Sequence, residues 1–263
     1  MSRYVQLLKA ECLKVFGDIK IYWLNYIFGN LNVFFMFLGL FYTFSKSNQD
    51  NLGKMTFLFG LMYWYFGVHA VDLIALLIEE EIEQGTLEQL LMTRTHLAAS
   101  LFFRIVAQII FDLFKGVFVF ILCMWAFNIS FSMIISFRFL AAVFVFFVGL
   151  FAMYGFGYIV AGMSLIYKQA ASIASISSTL ILFFSGTTIN INTFPALVQS
   201  IIRLFPFYWS NRIIESILQL DFRNIVGNVA VLILQLLLWI CFGVFILDHS
   251  LEIIYEKGTT GNY

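Results

Sequence analysis

Two groups of residues in this chain have types and spacing suited to chemistry. The first is the polar island at 79–96, Glu-Glu-Glu-Ile-Glu-Gln-Gly-Thr-Leu-Glu-Gln-Leu-Leu-Met-Thr-Arg-Thr-His. The second is a set of charges, Asp72, Asp112 and Lys115, inside otherwise apolar stretches. The island offers helix caps, ion pairs and a surface for an aqueous partner. The buried charges must pair, or serve a proton or substrate site, because an unpaired charge facing lipid costs at least ~2.5 kcal/mol. Asp112 and Lys115 lie three residues apart, so on a helix they share a face and can neutralise each other. A structural pair between spans is the favoured reading of these charges.

Neither group is a catalytic constellation. His69, His96 and His249 have no ligand spacing with one another, and no nucleophile stands beside a base and a carboxylate. Cys12, Cys123 and Cys241 read as small buried hydrophobes rather than as a disulfide or metal framework. No Gly-x-x-x-x-Gly-Lys-Ser/Thr loop is present to cradle a phosphate. The chain is expected to bind and transmit rather than catalyse, with no cofactor and no metal of its own and no nucleic-acid partner.

The elements that must position these residues follow from composition. The chain is 62% hydrophobic and 11% charged, which leaves too little polar surface for a water-soluble fold. Stretches at about 21–44, 55–78, 102–127, 139–166, 169–188 and 225–247 each approach the ~20 apolar residues that cross a bilayer. The runs are continuous rather than alternating, which selects helices over a barrel. The expectation is an all-α integral membrane protein of six spans in one domain, 1–263. No cleavable leader is expected, since the first apolar run is too long and no small-residue cleavage site follows it. Arg3, Lys9, Lys14 and Lys20 precede the first span and place the N-terminus inside. Six spans then return the tail, 248–263, to the cytoplasm.

Residues 2–20 align Tyr4, Leu8, Cys12, Val15, Phe16 and Ile19 on one helical face, with Lys9, Lys14 and Asp18 largely opposite. This pattern suits an elbow helix (1–20) lying along the inner membrane surface, with the bend at Gly17 and Asp18. In the island, 79–83 continue the second span into water. Gly85 costs a helix ~1 kcal/mol and permits a turn. Thr86 with Gln89 has capping-box spacing, and Leu87, Leu90 and Leu91 then share a face. That stripe suits a groove on another protein, or the membrane surface. In the outer loop, 189–223, Pro195 opens one amphipathic segment and Pro206 separates it from a second. Ser210 or Asn211 is positioned to cap the second segment, which carries Ile213, Ile214, Ile217 and Leu218. The fourth and fifth stretches are rich in small residues, among them Gly149, Gly155, Gly157, Gly162, Ala170 and Ser175, which permit close helix contact.

With these residues in view, the chain resembles the type-2 ATP-binding-cassette exporter permeases. Glu-Gln-Gly-Thr-Leu-Glu-Gln-Leu-Leu-Met-Thr at 83–93 is similar to that family's Gly-Thr-Leu-Glu-x-Leu-Leu-x-Thr signature. Phe184-Ser185-Gly186, Phe194-Pro195 and Phe205-Pro206-Phe207-Tyr208 resemble, in order, its motifs around the fifth span. One departure is Arg94, where the family often has proline, so the turn into the third span is less rigid or Arg94 touches the partner.

The resemblance implies a cell-membrane exporter subunit, multi-pass and in a bacterial inner or plasma membrane. It would pair with a second permease copy or a homologous permease and dock on two ATPase subunits, where ATP and Mg would bind. The island (79–100) becomes the coupling loop, with Gly85, Thr86, Leu87, Glu88, Leu90, Leu91, Thr93 and Arg94 meeting the ATPase. Gly186, Pro195 and Pro206 mark outer re-entrant helices. The abundance of Phe (33 residues) suits a hydrophobic or amphipathic substrate such as a drug, an antimicrobial peptide or a lipid-like molecule. The alternative is an ion-gradient-driven secondary transporter or channel using Asp72, Asp112 and Lys115.

Overall fold

The computed structural model describes residues 3–44, 50–86, 89–90, 92, 97–167, 176, 179, 181, 191 and 194–257. Among them all regular structure is helical. The elements are α1 (Arg3–Ile21), α2 (Trp23–Phe44), α3 (Asn51–Glu83), α4 (Leu97–Ala126), a 3-10 turn (Phe131–Ile135), α5 (Phe137–Tyr167), α6 (Ala196–Arg203), α7 (Pro206–Gln219) and α8 (Ile225–Lys257). Five of these helices, α2, α3, α4, α5 and α8, are long and apolar enough to cross a membrane. The predicted span at 169–188 falls almost wholly outside the described residues.

α3 has 33 residues, about 50 Å at ~1.5 Å per residue, well beyond ~30 Å of hydrocarbon. Its last turn therefore carries 79–83 past the apolar region, as the sequence predicts. Asp50 caps its start, accepting from the Gly53 amide at 2.9 Å. Its end is a Schellman motif. The Gly85 amide donates to Ile82 at 3.0 Å, and the Thr86 amide donates to Glu81 at 2.9 Å. Gly85 sits at φ +66°, where a Cβ is disfavoured. α4 ends the same way with Asn128 in the left-handed position, while the amine of Lys54 donates to the Phe127 carbonyl at 3.2 Å.

α3 and α5 are the most buried spans, and α2 and α8 leave most of their apolar surface outward. Lipid tails are as apolar as Leu, so helices in a bilayer gain little from hiding apolar surface from one another; close packing must hold them. α5 achieves this with glycines. A Cβ on Gly155 would stand 2.5 Å from the carbonyl carbon of Trp239 on α8, and one on Gly243 would collide with the Gly155 carbonyl oxygen. On the α3 side, a Cβ on Gly157 would stand 2.8 Å from the Ala70 carbonyl oxygen. The backbones of α5 and α8 thus touch directly, as the small-residue pattern of the fourth stretch leads one to expect.

Two sequence expectations are corrected. α1 runs unbroken through Gly17 and Asp18, and the break falls at Tyr22, whose amide still donates to the Asp18 carbonyl at 2.8 Å. With the i−4 hydrogen bonds intact, one glycine did not suffice to end the helix. Ser210 and Asn211 are not caps, because α7 already starts at Pro206. Proline at the first helical position brings its own helical φ and has no amide left unsatisfied. α8 runs on to Lys257, within the segment 248–263, of which 258–263 lie outside the described residues.

Candidate coupling interface and intramembrane charge cluster

At the island, the Schellman turn brings Thr86 back over the last turn of α3. Its hydroxyl donates to Oε2 of Glu81 at 2.6 Å, and its carbonyl accepts from the Leu90 amide at 3.0 Å. Thr86 therefore opens the next helical turn, while its side chain is turned toward Glu81. Oε1 of Glu81 meets Nη1 of Arg104 on α4 at 2.6 Å, and Nε of Arg104 meets Oε1 of Glu11 on α1 at 3.2 Å. These three charged side chains are each less than a fifth exposed, so the pairs are largely shielded from water. α1 lies along α4 with Leu8, Cys12, Val15 and Ile19 half-buried, while Lys9 and Lys14 point outward. Phe16 is exposed rather than turned inward.

Of the predicted coupling residues, Gly85, Thr86 and Leu90 are described; Leu87, Glu88, Leu91, Thr93 and Arg94 lie outside the described residues. Leu90 is half-buried against the bundle's own apolar core. Among the described residues of the loop, Met92 is the apolar side chain that faces outward, 85% exposed.

Within the spans, Asp112 is 3% exposed and is held from several directions. Its Oδ1 accepts from the Lys115 amine at 2.7 Å and from Nε2 of Gln108 at 3.3 Å. Its Oδ2 stands 2.7 Å from Nε2 of His69 on α3. Lys115 also sits 4.3 Å from the centre of the Tyr26 ring on α2, a cation–π distance. The predicted Asp112–Lys115 pairing is present, and the cluster joins three consecutive spans. Asp72, one turn beyond His69 on α3, makes no hydrogen bond to this cluster: it is half-buried, and its Oδ1 finds no hydrogen-bond partner among the described residues.

On the opposite side, α6 and α7 form a bent hairpin, with Pro195 preceding α6 and Pro206 at the first turn of α7. Gly186 lies outside the described residues. The carbonyls left free at the end of α6 are filled by side chains. Arg203 accepts from Trp209 Nε1 and Gln235 Nε2, each at 2.8 Å, and Leu204 accepts from Trp239 Nε1 at 3.1 Å. Phe205 stacks on Trp239 at 5.5 Å. α7 packs against α3, α5 and α8, burying Phe207, Ile213 and Ile214, and Ser210 donates to the Val145 carbonyl within α5 at 3.2 Å.

Sequence reasoning missed His69, Glu11 and the role of Arg104. A histidine and an arginine within apolar stretches were the available signals. Their partners are on other helices, so spacing along the chain could not pair them.

A family model described as ABC-2 type transporter matches residues 3–219, from α1 to the end of α7. The chain belongs to the ABC-2 type transporter family. It is a multi-pass membrane subunit of an ABC transporter, a permease rather than a catalytic subunit, and membership implies an ABC ATPase as partner. No curated protein matches the chain. The matched residues include the island, the intramembrane cluster and the α6–α7 segment.

Proposed function

We propose that this ABC-2 permease is the membrane half of an exporter that moves a hydrophobic or amphipathic molecule outward. A drug, an antimicrobial peptide or a lipid-like molecule fits this description. Two permease copies, or this chain and a homologue, pair in the membrane, and separate ATPase subunits bind ATP and Mg and power the cycle. Both termini are cytoplasmic, a sixth span lies between α5 and α6, and α6–α7 dips into the outer leaflet as a re-entrant hairpin. The loop from Gly85 to Arg94 is the element the ATPase pushes.

The observation that carries this reading is the link between Thr86 and Glu81. The loop's first turn is hydrogen-bonded to a carboxylate that is itself paired to the next span. Displacement of the loop is thereby passed to α4 instead of being absorbed by a slack connection. Against the secondary-transporter alternative stands the pairing of Asp112 with Lys115 beside His69, which leaves Asp72 as the charge that alternative would use.

The test is co-expression with the cognate ABC ATPase, followed by uptake of a fluorescent amphipathic dye into inside-out vesicles. ATP-dependent accumulation that survives collapse of ion gradients is the expected result. Accumulation driven by a gradient without ATP would overturn the assignment.

A further inference from the structure

Arg104 has two carboxylate partners on two different helices, and the two contacts leave from different edges of its guanidinium. Nη1 holds Glu81 at the end of α3, and Nε holds Glu11 on α1. Glu81 is likewise shared between neighbours, since Oε1 takes Arg104 and Oε2 takes the Thr86 hydroxyl. The result is a continuous polar chain, Thr86–Glu81–Arg104–Glu11, running from the island loop to the N-terminal helix. Its links measure 2.6, 2.6 and 3.2 Å.

The helix at the far end is lightly held. None of residues 5–21 is fully buried, and Val5, Leu13 and Phe16 are exposed. α1 meets the bundle through the half-buried face around Leu8, Cys12 and Val15 and through the Glu11–Arg104 pair. Elements with few buried contacts open and shift at the lowest cost. Planar guanidinium–carboxylate contacts fix direction as well as distance. A lightly packed helix held by a directional pair will follow the group that holds it.

We propose that Arg104 is the joint that moves α1 together with the island loop, so that the N-terminal helix changes position when the ATPase engages. This rests on the reading of 85–94 as the coupling loop. When the loop shifts, Thr86 displaces Glu81, Glu81 turns the guanidinium, and Glu11 carries α1 along the membrane surface. Arg104 is a positioning residue in this scheme, with no role in binding substrate or nucleotide. The N-terminal helix becomes a moving part of the transport cycle rather than a static anchor.

The experiment measures α1 directly and needs no transported substrate. In the permease–ATPase complex, with the native cysteines Cys12, Cys123 and Cys241 replaced by Ser, spin labels are placed at Leu13→Cys on α1 and Leu234→Cys on α8. Both positions are more than half exposed. Pulsed-EPR distances are recorded without nucleotide and after ATP–vanadate trapping. The unmodified polar chain is expected to give a shifted distance on trapping. Arg104→Met and the similarly sized Glu11→Met, which has no oxygen to accept from Arg104 Nε, are each expected to lose the shift while ATPase assembly and hydrolysis persist. Glu11→Met leaves Arg104 on Glu81 and so keeps the test valid if Arg104→Met folds poorly. A shift that survives Glu11→Met, or its absence in the unmodified complex, overturns the joint. Failure of the chain to assemble with any ABC ATPase would instead overturn the coupling-loop reading, which separates the two failures.

Discussion

Oδ2 of Asp112 stands 2.7 Å from Nε2 of His69, across the α4–α3 contact, while its other oxygen takes the Lys115 amine at 2.7 Å. A charge pair within one helix turn is thereby also an inter-span contact. An exchange of Asp112 and Lys115 would keep the net charge but set an ammonium against His69. The swap is therefore expected to rescue poorly. Asp112→Asn should be the most damaging single change, costing about 3–5 kcal/mol, because it leaves the largely buried Lys115 ammonium without its counter-ion. Lys115→Met, which leaves Asp112 with His69 and Gln108, should cost less. Thermal unfolding of the detergent-solubilised protein, followed by the size-exclusion monomer peak, ranks the three. A swap as stable as the unmodified chain would mean that His69 contributes nothing.

Gly85 makes a different demand. Nothing lies within 4 Å of where its Cβ would stand, so the requirement is conformational rather than steric. Gly85→Ala should cost about 1–2 kcal/mol through the left-handed backbone alone. Gly85→Pro cannot adopt φ +66° and also deletes the amide bonded to Ile82, so it should free the loop from α3 and uncouple transport from hydrolysis. The ratio of dye accumulated to phosphate released in vesicles reads this directly. An unchanged ratio with Pro would show that the turn does not transmit.

The α5–α8 contact gives a steric counterpart. Gly155→Val must push α8 away from α5, because the atoms facing Gly155 are backbone and cannot rotate aside. Overpacking of this kind costs about 1–3 kcal/mol. Gly29→Val on α2 has nothing within 4 Å and serves as the control, with near-normal expression and melting temperature. Equal loss in the two variants would place the effect in valine itself and not in the helix contact.

The sequence reveals most where the determinant is local. Five of the six span positions follow from hydropathy, the end of α3 from Gly85, and the Asp112–Lys115 contact from three-residue spacing on one helix. What stayed hidden was tertiary. His69 and Asp112 are 43 residues apart, Glu11 and Arg104 are 93 apart, and no periodicity records which helix faces become neighbours. In the sequence Pro206 reads as a break, which puts the expected cap at Ser210 or Asn211, whereas in the structure it is the first residue of α7. Ser210 instead serves the α5 contact through Val145.

Purified free of other subunits, the permease should hydrolyse ATP only at background level, because it has no phosphate-cradling loop. Phosphate release with a carefully depleted preparation checks this. Turnover that co-purifies with the chain and resists depletion would contradict the division of labour between permease and ATPase.

The docking surface can be probed with two neighbouring positions of unlike burial. Leu90 rests half-buried on the bundle's own core, so Leu90→Asp should lose ~2 kcal/mol or more of apolar burial and place a charge against apolar neighbours. Its damage should register as instability before any effect on assembly. Met92 is 85% exposed and contributes little to the isolated fold. Met92→Asp should leave expression and melting temperature near normal, yet weaken capture of the ATPase subunit if the loop seats in an apolar groove there. An exposed apolar side chain that fills such a groove contributes about 1.5–3 kcal/mol, so affinity should fall at least tenfold. Pull-down at graded ATPase concentration, beside transport in the same vesicles, makes the measurement. Full affinity in Met92→Asp would mean that the outward side of the island meets water or lipid headgroups, and the ATPase would have to engage the permease elsewhere.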